Sequence, residues 1–367
     1  MITATGGVPV AAIEPDSPDA GVIAHYGDPM REQRTLATSV GLVDRSHRGV
    51  VAVPGEDRLG WLHSMTTQYL TGLPPMAGTE LLVLSPHGHV ERHAAVADDG
   101  EATWLDVEPG GAPPLLAFLE RMRFLMRVEP ADVTEDFALL SLVGPDTDEA
   151  LVTLGVGALL PPDVVPVPGP KFAAGSVPPR PTIRYSMAAL PDFRGWARRM
   201  PYGADLLVRR GTEADLVEAA GVPLAGHWAF EALRVADRRP RFGFETDHKT
   251  LPSEVGWTAP AVHLDKGCYR GQETVARVHN LGRPPRRLTL LHLDGSENRL
   301  PAVGSPLNLG EKVVGFVGTS ARHHELGPIA LALVKRNVAL EAQLDADGLP
   351  AAQEMLVDPE VGLHFRR

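Results

Sequence analysis

The chain has 367 residues, a net charge of −11 at pH 7 with histidine neutral, one cysteine, 44% hydrophobic residues and 22% charged residues. This composition is typical of a globular protein and excludes a disordered chain, a coiled coil and a disulfide scaffold. The acidic balance argues against direct DNA binding, and no apolar run reaches the ~18 residues that a membrane span requires. The length predicts two or three domains, because single cores stop growing near ~250–300 residues.

The first residues carry no pattern of a secretory leader. Residues 1–30 contain no Lys or Arg, and prolines interrupt the apolar stretch. We therefore expect a cytoplasmic protein, which agrees with the single cysteine. Residues 1–24 are rich in Gly, Pro and Ala and are predicted to form a loose N-terminal arm.

Residues 25–135 are predicted to form a first α+β domain, which residues 225–282 could complete. The order of its elements follows from hydrophobic spacing and from the positions of Gly and Pro. The predicted elements are a helix at 30–40, a strand at 49–53 with a helix after it, strands at 81–84, 89–97 and 103–107, and a helix from 113.

Residues 136–224 are predicted to form a second α+β domain, with eight prolines between 161 and 181 marking a loop or insertion. Segments 53–57 and 142–146 both resemble a strand that turns at a glycine into a helix, which suggests two related βα units. Residues 283–367 are strand-like and punctuated by Gly and Pro. They predict a small C-terminal β-rich, barrel-like domain.

Segment 264–277 contains the residues best suited to chemistry. Cys268 lies between two glycines and follows Lys266, in a chain with one cysteine and five lysines. A helix is predicted to begin near 269–271, so its unpaired N–H groups would face Cys268 and any anion there. Such surroundings should lower the pKa of the thiol. On the residues alone, a cysteine that packs as a small hydrophobe is equally well supported.

The same segment resembles a family signature. Its pattern Lys-Gly-Cys-Tyr-x-Gly-Gln-Glu-x-x-x-Arg is similar to that of the YgfZ-type folate-binding proteins, relatives of the glycine-cleavage T-protein, an aminomethyltransferase. Flanking patterns at 44–63, 231–243 and 251–254 extend the resemblance. It implies a three-domain, cloverleaf-like α+β ring around a channel that holds tetrahydrofolate or a derivative. It also implies a role in the assembly or repair of iron–sulfur proteins, with an indirect effect on tRNA modification.

The resemblance also implies which residues form the site. Cys268 is expected to be the functional thiol, and Asp205 takes the place of an acid that can bind a pterin. On the residues alone, a solvent-facing carboxylate is the better-supported interpretation of Asp205. The expected partners are folate and iron–sulfur client or assembly proteins. The expected cofactor-binding residues are Lys266, Gly267, Tyr269, Gly271, Gln272, Glu273, Arg277, Arg234, Glu231, Glu254 and Asp205.

Two other functions stay open at this point. Aminomethyltransferases carry Gly-Gly-x-x-Asp-Asp in a folate-facing hairpin, and here Glu91 and Arg92 replace the two aspartates, which argues against stand-alone transfer chemistry. A folate-dependent aminomethyl- or methyltransferase is the alternative, and a scaffold without ligand is the third possibility. His87, His89 and His93 share strand parity and could bind zinc or iron. No carboxylate ligand accompanies them, so no metal site is predicted.

Overall fold

The computed structural model describes residues 6–166, 181–258, 260–281 and 284–355. Its helices are α1 (Pro29–Thr38), α2 (Arg58–Met65), α3 (Ala112–Arg121), α4 (Thr147–Thr153), α5 (Glu213–Ala220), α6 (His227–Ala236) and α7 (Gln272–Leu281). Its strands are β1 (Val8–Pro9), β2 (Ile23–His25), β3 (Gly41–Asp44), β4 (Gly49–Pro54), β5 (Ala77–Leu84), β6 (Val90–Asp98), β7 (Ala102–Val107), β8 (Ala131–Asp132), β9 (Phe137–Val143), β10 (Asp163–Pro166), β11 (Pro181–Leu190), β12 (Gly195–Met200), β13 (Gly203–Arg209), β14 (Leu224–Ala225), β15 (Arg286–Leu293), β16 (Pro306–Leu309), β17 (Lys312–His323), β18 (Gly327–Lys335), β19 (Leu344–Ala346) and β20 (Leu349–Met355).

Twelve strands form one sheet, and eight of them belong to two equivalent four-strand units. The first unit runs β4, α2, β5, β6, β7, α3 along the chain, and the second runs β9, α4, β11, β12, β13, α5. Within each unit the strands lie side by side in the order second, third, fourth, first, and an antiparallel pairing of β5 with β11 joins the two halves. The sequence similarity between segments 53–57 and 142–146 therefore reflects equivalent positions in the fold.

The turn that begins each unit's first helix requires glycine. Gly55 and Gly144 have φ angles of 123° and 129°, in the region that L side chains rarely adopt. A Cβ atom at either position would lie 2.1 Å from a backbone carbonyl oxygen. The chain therefore passes from β4 into α2, and from β9 into α4, by the same tight turn.

Each unit buries its helices on one face of the sheet. In the first, Leu62 of α2 and Leu119 of α3 pack with sheet residues such as Val51. In the second, Leu151 of α4 and Leu216 of α5 pack with sheet residues in the same way. Burying one such side chain contributes ~1.5–3 kcal/mol, so these two clusters fix the sheet on which the site is built.

The C-terminal strands close into a six-stranded barrel in the order β15-β18-β17-β16-β19-β20, which confirms the predicted barrel-like domain. Alternate residues of β15 face opposite ways. Leu291 and Leu293 belong to one apolar cluster, within the barrel strands. Leu288 and Leu290 belong to another, which contains Trp257 and joins the barrel to the rest of the molecule.

The N-terminal residues differ from the expected loose arm. Residues 6–25 form a short antiparallel pair of strands, β1 with β2. Val10, Val22 and Ala24 are buried and pack against Trp228 of α6, and Asp19 is only 6% exposed. Most of the predicted proline-rich insertion, 167–180, lies outside the described residues. Among the described residues, no helix is both long and apolar enough to cross a bilayer.

Candidate functional site

Two adjoining cavities lie where the sheet, α6 and the barrel meet. The first, called here the sheet cavity, has a volume of about 650 Å³ and is walled by strand residues, by α6 and by Trp257. The second, called here the arm cavity, has a volume of about 800 Å³ and is walled by the N-terminal arm, by α6 and by residues 300–303 and 319–320 of the barrel domain. Both volumes fall within the ~300–1,000 Å³ typical of small-molecule sites. The two cavities share four wall residues: His93, Glu108, His227 and Glu231.

Asp205 is buried in the wall of the sheet cavity, which is not the solvent-facing position considered from the sequence. Its carboxylate accepts hydrogen bonds from Arg45 at 3.0 Å, from Ser141 at 2.6 Å and from Tyr202 at 2.7 Å. Arg198 donates to its other oxygen at 2.9 Å. Burial raises the pKa of this carboxyl, but the two guanidinium groups outweigh burial and lower it to about 2. Asp205 is therefore an ionised carboxylate with four protein donors.

Glu80, His93 and Tyr185 form a hydrogen-bonded chain in the same wall. The Nε2 atom of His93 lies 2.8 Å from Glu80, and the Tyr185 hydroxyl donates to the other oxygen of Glu80 at 2.5 Å. The His93 ring stacks on Trp257 with centroids 4.6 Å apart. Burial raises the pKa of Glu80, but the hydrogen bond with His93 and its charge more than compensate and lower it. The arrangement places a carboxylate–imidazole pair beside the cavity, where it can exchange a proton with a bound molecule.

Helix α6 contributes an ion-pair network to both cavities. Arg234 donates to the two oxygens of Glu231 at 2.9 Å each, which is the expected consequence of their i, i+3 spacing. Arg241 donates to Glu231 at 3.0 Å, to Glu108 at 2.7 Å and to both oxygens of Asp19. Burial raises the pKa of Glu231, but Arg234 and Arg241 outweigh it and lower the value to about 2. The arginines and carboxylates of the cavity walls are therefore paired with one another within the protein.

Arg239 is the most loosely paired guanidinium of the sheet cavity. Its nearest carboxylate, Asp237, lies 3.5 Å away, and its Nε atom has no hydrogen-bond partner among the described residues. The guanidinium stands 4.3 Å from the centroid of the Tyr202 ring and 5.6 Å from that of Phe230. Burial lowers the pKa of Arg239. A cation held by aromatic rings rather than by a close carboxylate can accept an anionic ligand.

The signature segment lies away from both cavities. The Lys266 ammonium is buried and donates to the carbonyl oxygens of His63, Thr66 and Gln68, which holds the loop after α2. Burial lowers its pKa to about 7. Its charge is therefore directed into that loop rather than toward Cys268, which is exposed.

Tyr269, Gly271 and Gln272 hold the signature segment in place. Tyr269 is buried in the apolar cluster beneath the barrel, and Gln272 donates to the carbonyl oxygen of Lys266 at 3.3 Å. Gly271 has a φ of 80°, and its backbone contacts the hairpin between β5 and β6, where a Cβ atom would lie 2.6 Å from the Ser85 carbonyl oxygen. Helix α7 begins at Gln272, close to the predicted start. Four signature residues are exposed: Gly267, Cys268, Glu273 and Arg277.

The contacts of Glu254 also stabilise the fold. It is fully buried, accepts from the backbone N–H of Leu251 at 2.9 Å, and forms an ion pair with Arg286 of β15 at 2.9 Å. It therefore fixes the barrel domain to the loop before α7. Of the expected cofactor-binding residues, the structure brings Asp205, Glu231 and Arg234 together at the sheet cavity.

Several wall residues were not anticipated from the sequence, among them Glu80, Arg198 and Arg241. A usable signal was present for Arg198, Asp106 and Asp205, because charged residues within apolar strands are buried and must be paired. The three histidines considered as metal ligands do not converge, since His93 pairs with Glu80. Other unanticipated residues of the wall are Asp19, His47, Arg48, Glu108 and Tyr185.

Comparison with known proteins identifies the family. The GCVT N-terminal domain matches residues 27–159. An aminomethyltransferase of Rubrobacter xylanophilus is 30% identical over 314 residues, which cover 84% of this chain and 80% of that protein. A candidate chloroplastic transferase of Arabidopsis thaliana is 26% identical over 322 residues, covering 87% and 71%.

A solved structure has the same fold. The glycine cleavage system aminomethyltransferase T from Bartonella henselae superposes with a TM-score of 0.68 over 92% of this chain and 91% of that one, at 17% sequence identity. Its similarity confirms the expected fold class, with the closed barrel at the C-terminus. Together with the Rubrobacter relative, these findings show that the chain belongs to the GCVT aminomethyltransferase superfamily.

Proposed function

We propose that this protein binds tetrahydrofolate or a derivative in the sheet cavity. The observation that supports this best is the contact of Arg239 with the aromatic rings of Tyr202 and Phe230, in a wall that also contains Trp257, around a space of about 650 Å³. A pterin is a flat, hydrogen-bonding ring system that stacks on aromatic side chains. The glutamate tail of a folate is anionic and suits a loosely paired guanidinium.

The site residues divide into two groups in this proposal. Asp205, Glu231 and Arg234 stand in the cavity wall and orient the polar edge of the ligand. The second group keeps the cavity in shape from outside by fixing the loops around α2, α7 and the barrel. That group consists of Lys266, Tyr269, Gly271, Gln272 and Glu254. The other three residues expected at the cofactor, Gly267, Glu273 and Arg277, are exposed on the same segment.

We propose further that the protein supports the assembly or repair of iron–sulfur proteins, and thereby affects tRNA modification indirectly. The signature around Cys268 supports this role, and so does the exposure of the thiol outside both cavities. A single cysteine does not hold a cluster. Any cluster contact therefore requires ligands from a client or assembly protein.

Calorimetric titration with tetrahydrofolate tests the binding proposal. We expect a Kd in the micromolar range or tighter, about −8 kcal/mol. Tetrahydropteroate, which lacks only the glutamate, is the matched control ligand and should bind more weakly because Arg239 loses its partner. Absence of heat at millimolar folate would favour the scaffold without ligand.

Aminomethyl transfer is the second candidate, because the Rubrobacter and Bartonella proteins named above are aminomethyltransferases. Glu91, which replaces one transferase aspartate, forms a 3.5 Å pair with Arg270 and faces neither cavity, and Arg92 borders the arm cavity. The carboxylate–imidazole pair available in the sheet cavity is Glu80–His93. We expect no one-carbon transfer from an aminomethyl donor to folate by this protein alone. One-carbon transfer by the wild type that is lost in His93→Gln would show that the protein is a transferase instead.

A further inference from the structure

Asp19, His47 and His227 meet where the N-terminal arm contacts the wall between the two cavities. Their side chains are 4–9% exposed. Asp19 Oδ1 lies 3.0 Å from His47 Nε2, and Asp19 Oδ2 lies 3.1 Å from His227 Nε2. One nitrogen or oxygen from each residue lies within 4.8 Å of the others. Separations near 3 Å are those of neighbouring ligands around an ion with metal–ligand distances of ~2.0–2.2 Å.

The hydrogen bonding of the two imidazoles is incomplete. His227 Nε2 is close to Asp19, yet the contact lacks hydrogen-bond geometry, and neither ring nitrogen of His227 has a hydrogen-bond partner among the described residues. His47 Nδ1 likewise lacks a hydrogen-bond partner in the part of the chain that the structure describes. Each unsatisfied buried polar group costs ~1–3 kcal/mol. An ion that accepts the lone pair of His227 would remove part of that cost.

Arg241 is the group that opposes a cation here. It donates to both oxygens of Asp19, at 2.8 and 2.9 Å, and also to Glu108 and Glu231. Its charge is therefore shared among three carboxylates. Asp19 Oδ2 keeps a second lone pair for a metal, whereas a metal at Oδ1 would replace the hydrogen bond with His47. Arg241 fixes the carboxylate as outer partners of metal ligands do.

We propose that Asp19, His47 and His227 bind one divalent transition-metal ion, with open coordination positions toward the cavities. Two imidazoles and one carboxylate suit zinc or ferrous iron better than magnesium or calcium, which prefer oxygen ligands. His227 borders both cavities, and Asp19 borders the arm cavity. The ion would fix the arm to α6 and present a Lewis acid to a molecule in either cavity. This proposal is independent of folate binding.

Metal content tests it directly. Untagged full-length protein is stripped with EDTA and dialysed against Zn(II), and bound zinc is measured by mass spectrometry. We expect one equivalent per chain. His47→Gln and His227→Gln should each weaken zinc binding by about tenfold or more. The double variant His87→Gln/His89→Gln, on the hairpin between β5 and β6, is the matched control and should keep one equivalent.

Spectroscopy of the unmodified protein covers the case in which a glutamine variant does not fold. The Co(II)-loaded protein should show paramagnetically shifted imidazole N–H resonances from two histidines. Failure of the wild type to retain one equivalent of zinc overturns the proposal, as does absence of the shifted resonances. Unchanged affinity in both folded glutamine variants, or loss of the metal in the His87/His89 control instead, also overturns it.

Discussion

The wall of the sheet cavity and signature segment 264–277 differ in how they accommodate charged side chains. The wall buries charges such as Asp205 and Arg198 and balances them with close partners. The signature segment anchors one charge, Lys266, in backbone carbonyl groups and leaves Cys268 exposed. The wall can therefore form a ligand site. The signature segment instead stabilises the loop after α2 and carries an exposed thiol. A family signature in the sequence need not lie at the ligand.

The largest expected effect comes from opening the buried network. Arg198→Met removes one guanidinium partner from each of Asp106 and Asp205, which are 3% and 1% exposed and keep Arg48 and Arg45. Removing one partner of a buried ion pair costs ~3–5 kcal/mol, so urea unfolding should show a loss near the lower end of that range. Arg123→Met breaks a 3.8 Å surface pair with Glu120 and should cost under ~0.5 kcal/mol. Similar losses in the two variants would contradict the account of the wall.

The next effect tests whether Lys266 is structural. Lys266→Met leaves three carbonyl groups without their donor, and we expect unfolding free energy to fall by ~1–3 kcal/mol. Lys249→Met, at an exposed lysine, is the control and should change stability little. A Lys266→Met variant of unchanged stability but abolished folate affinity would place Lys266 at the ligand.

Acid should lower the free energy of unfolding by removing the charge of Asp205. The pKa of Asp205 is lowered from 3.8 to about 2, so its stabilising contribution is complete above pH ~4 and is lost as pH falls through 2. The shift corresponds to about 2 kcal/mol. Urea unfolding at pH 5, 4 and 3 measures this slope. Asp205→Asn should flatten it, whereas Glu311→Gln, at an exposed carboxylate of the barrel domain, should not; equal slopes in all three proteins would contradict the buried ion pair.

Cys268→Ser should have the smallest effect on stability but a large effect on iron–sulfur enzyme activity in cells. Cys268→Ser changes an exposed side chain, so unfolding free energy should stay within ~0.5 kcal/mol. In cells lacking the protein, this variant should restore iron–sulfur enzyme activity poorly, whereas Ser296→Ala, at an exposed residue of the barrel domain, should restore it fully. Full recovery with Cys268→Ser would make the thiol dispensable.

Local patterns predicted the elements well, and long-range pairing explains what they missed. The strands, the C-terminal barrel and the start of α7 follow from periodicity and from Gly and Pro positions. The burial of Asp19 does not, because its partners His47 and Arg241 are 28 and 222 residues away. Lys266 likewise reaches a loop 200 residues earlier. Spacing within one segment carries no information about such partners.

The most direct test compares folate affinity in one variant from each region. Arg239→Gln removes the loosely paired cation of the sheet cavity, and Cys268→Ser changes the signature segment. Calorimetric titration with tetrahydrofolate should show about tenfold weaker binding in Arg239→Gln, a change of ~1.4 kcal/mol, and an unchanged Kd in Cys268→Ser. The reverse result, with affinity lost in Cys268→Ser and retained in Arg239→Gln, would place the ligand at the signature segment and contradict the account.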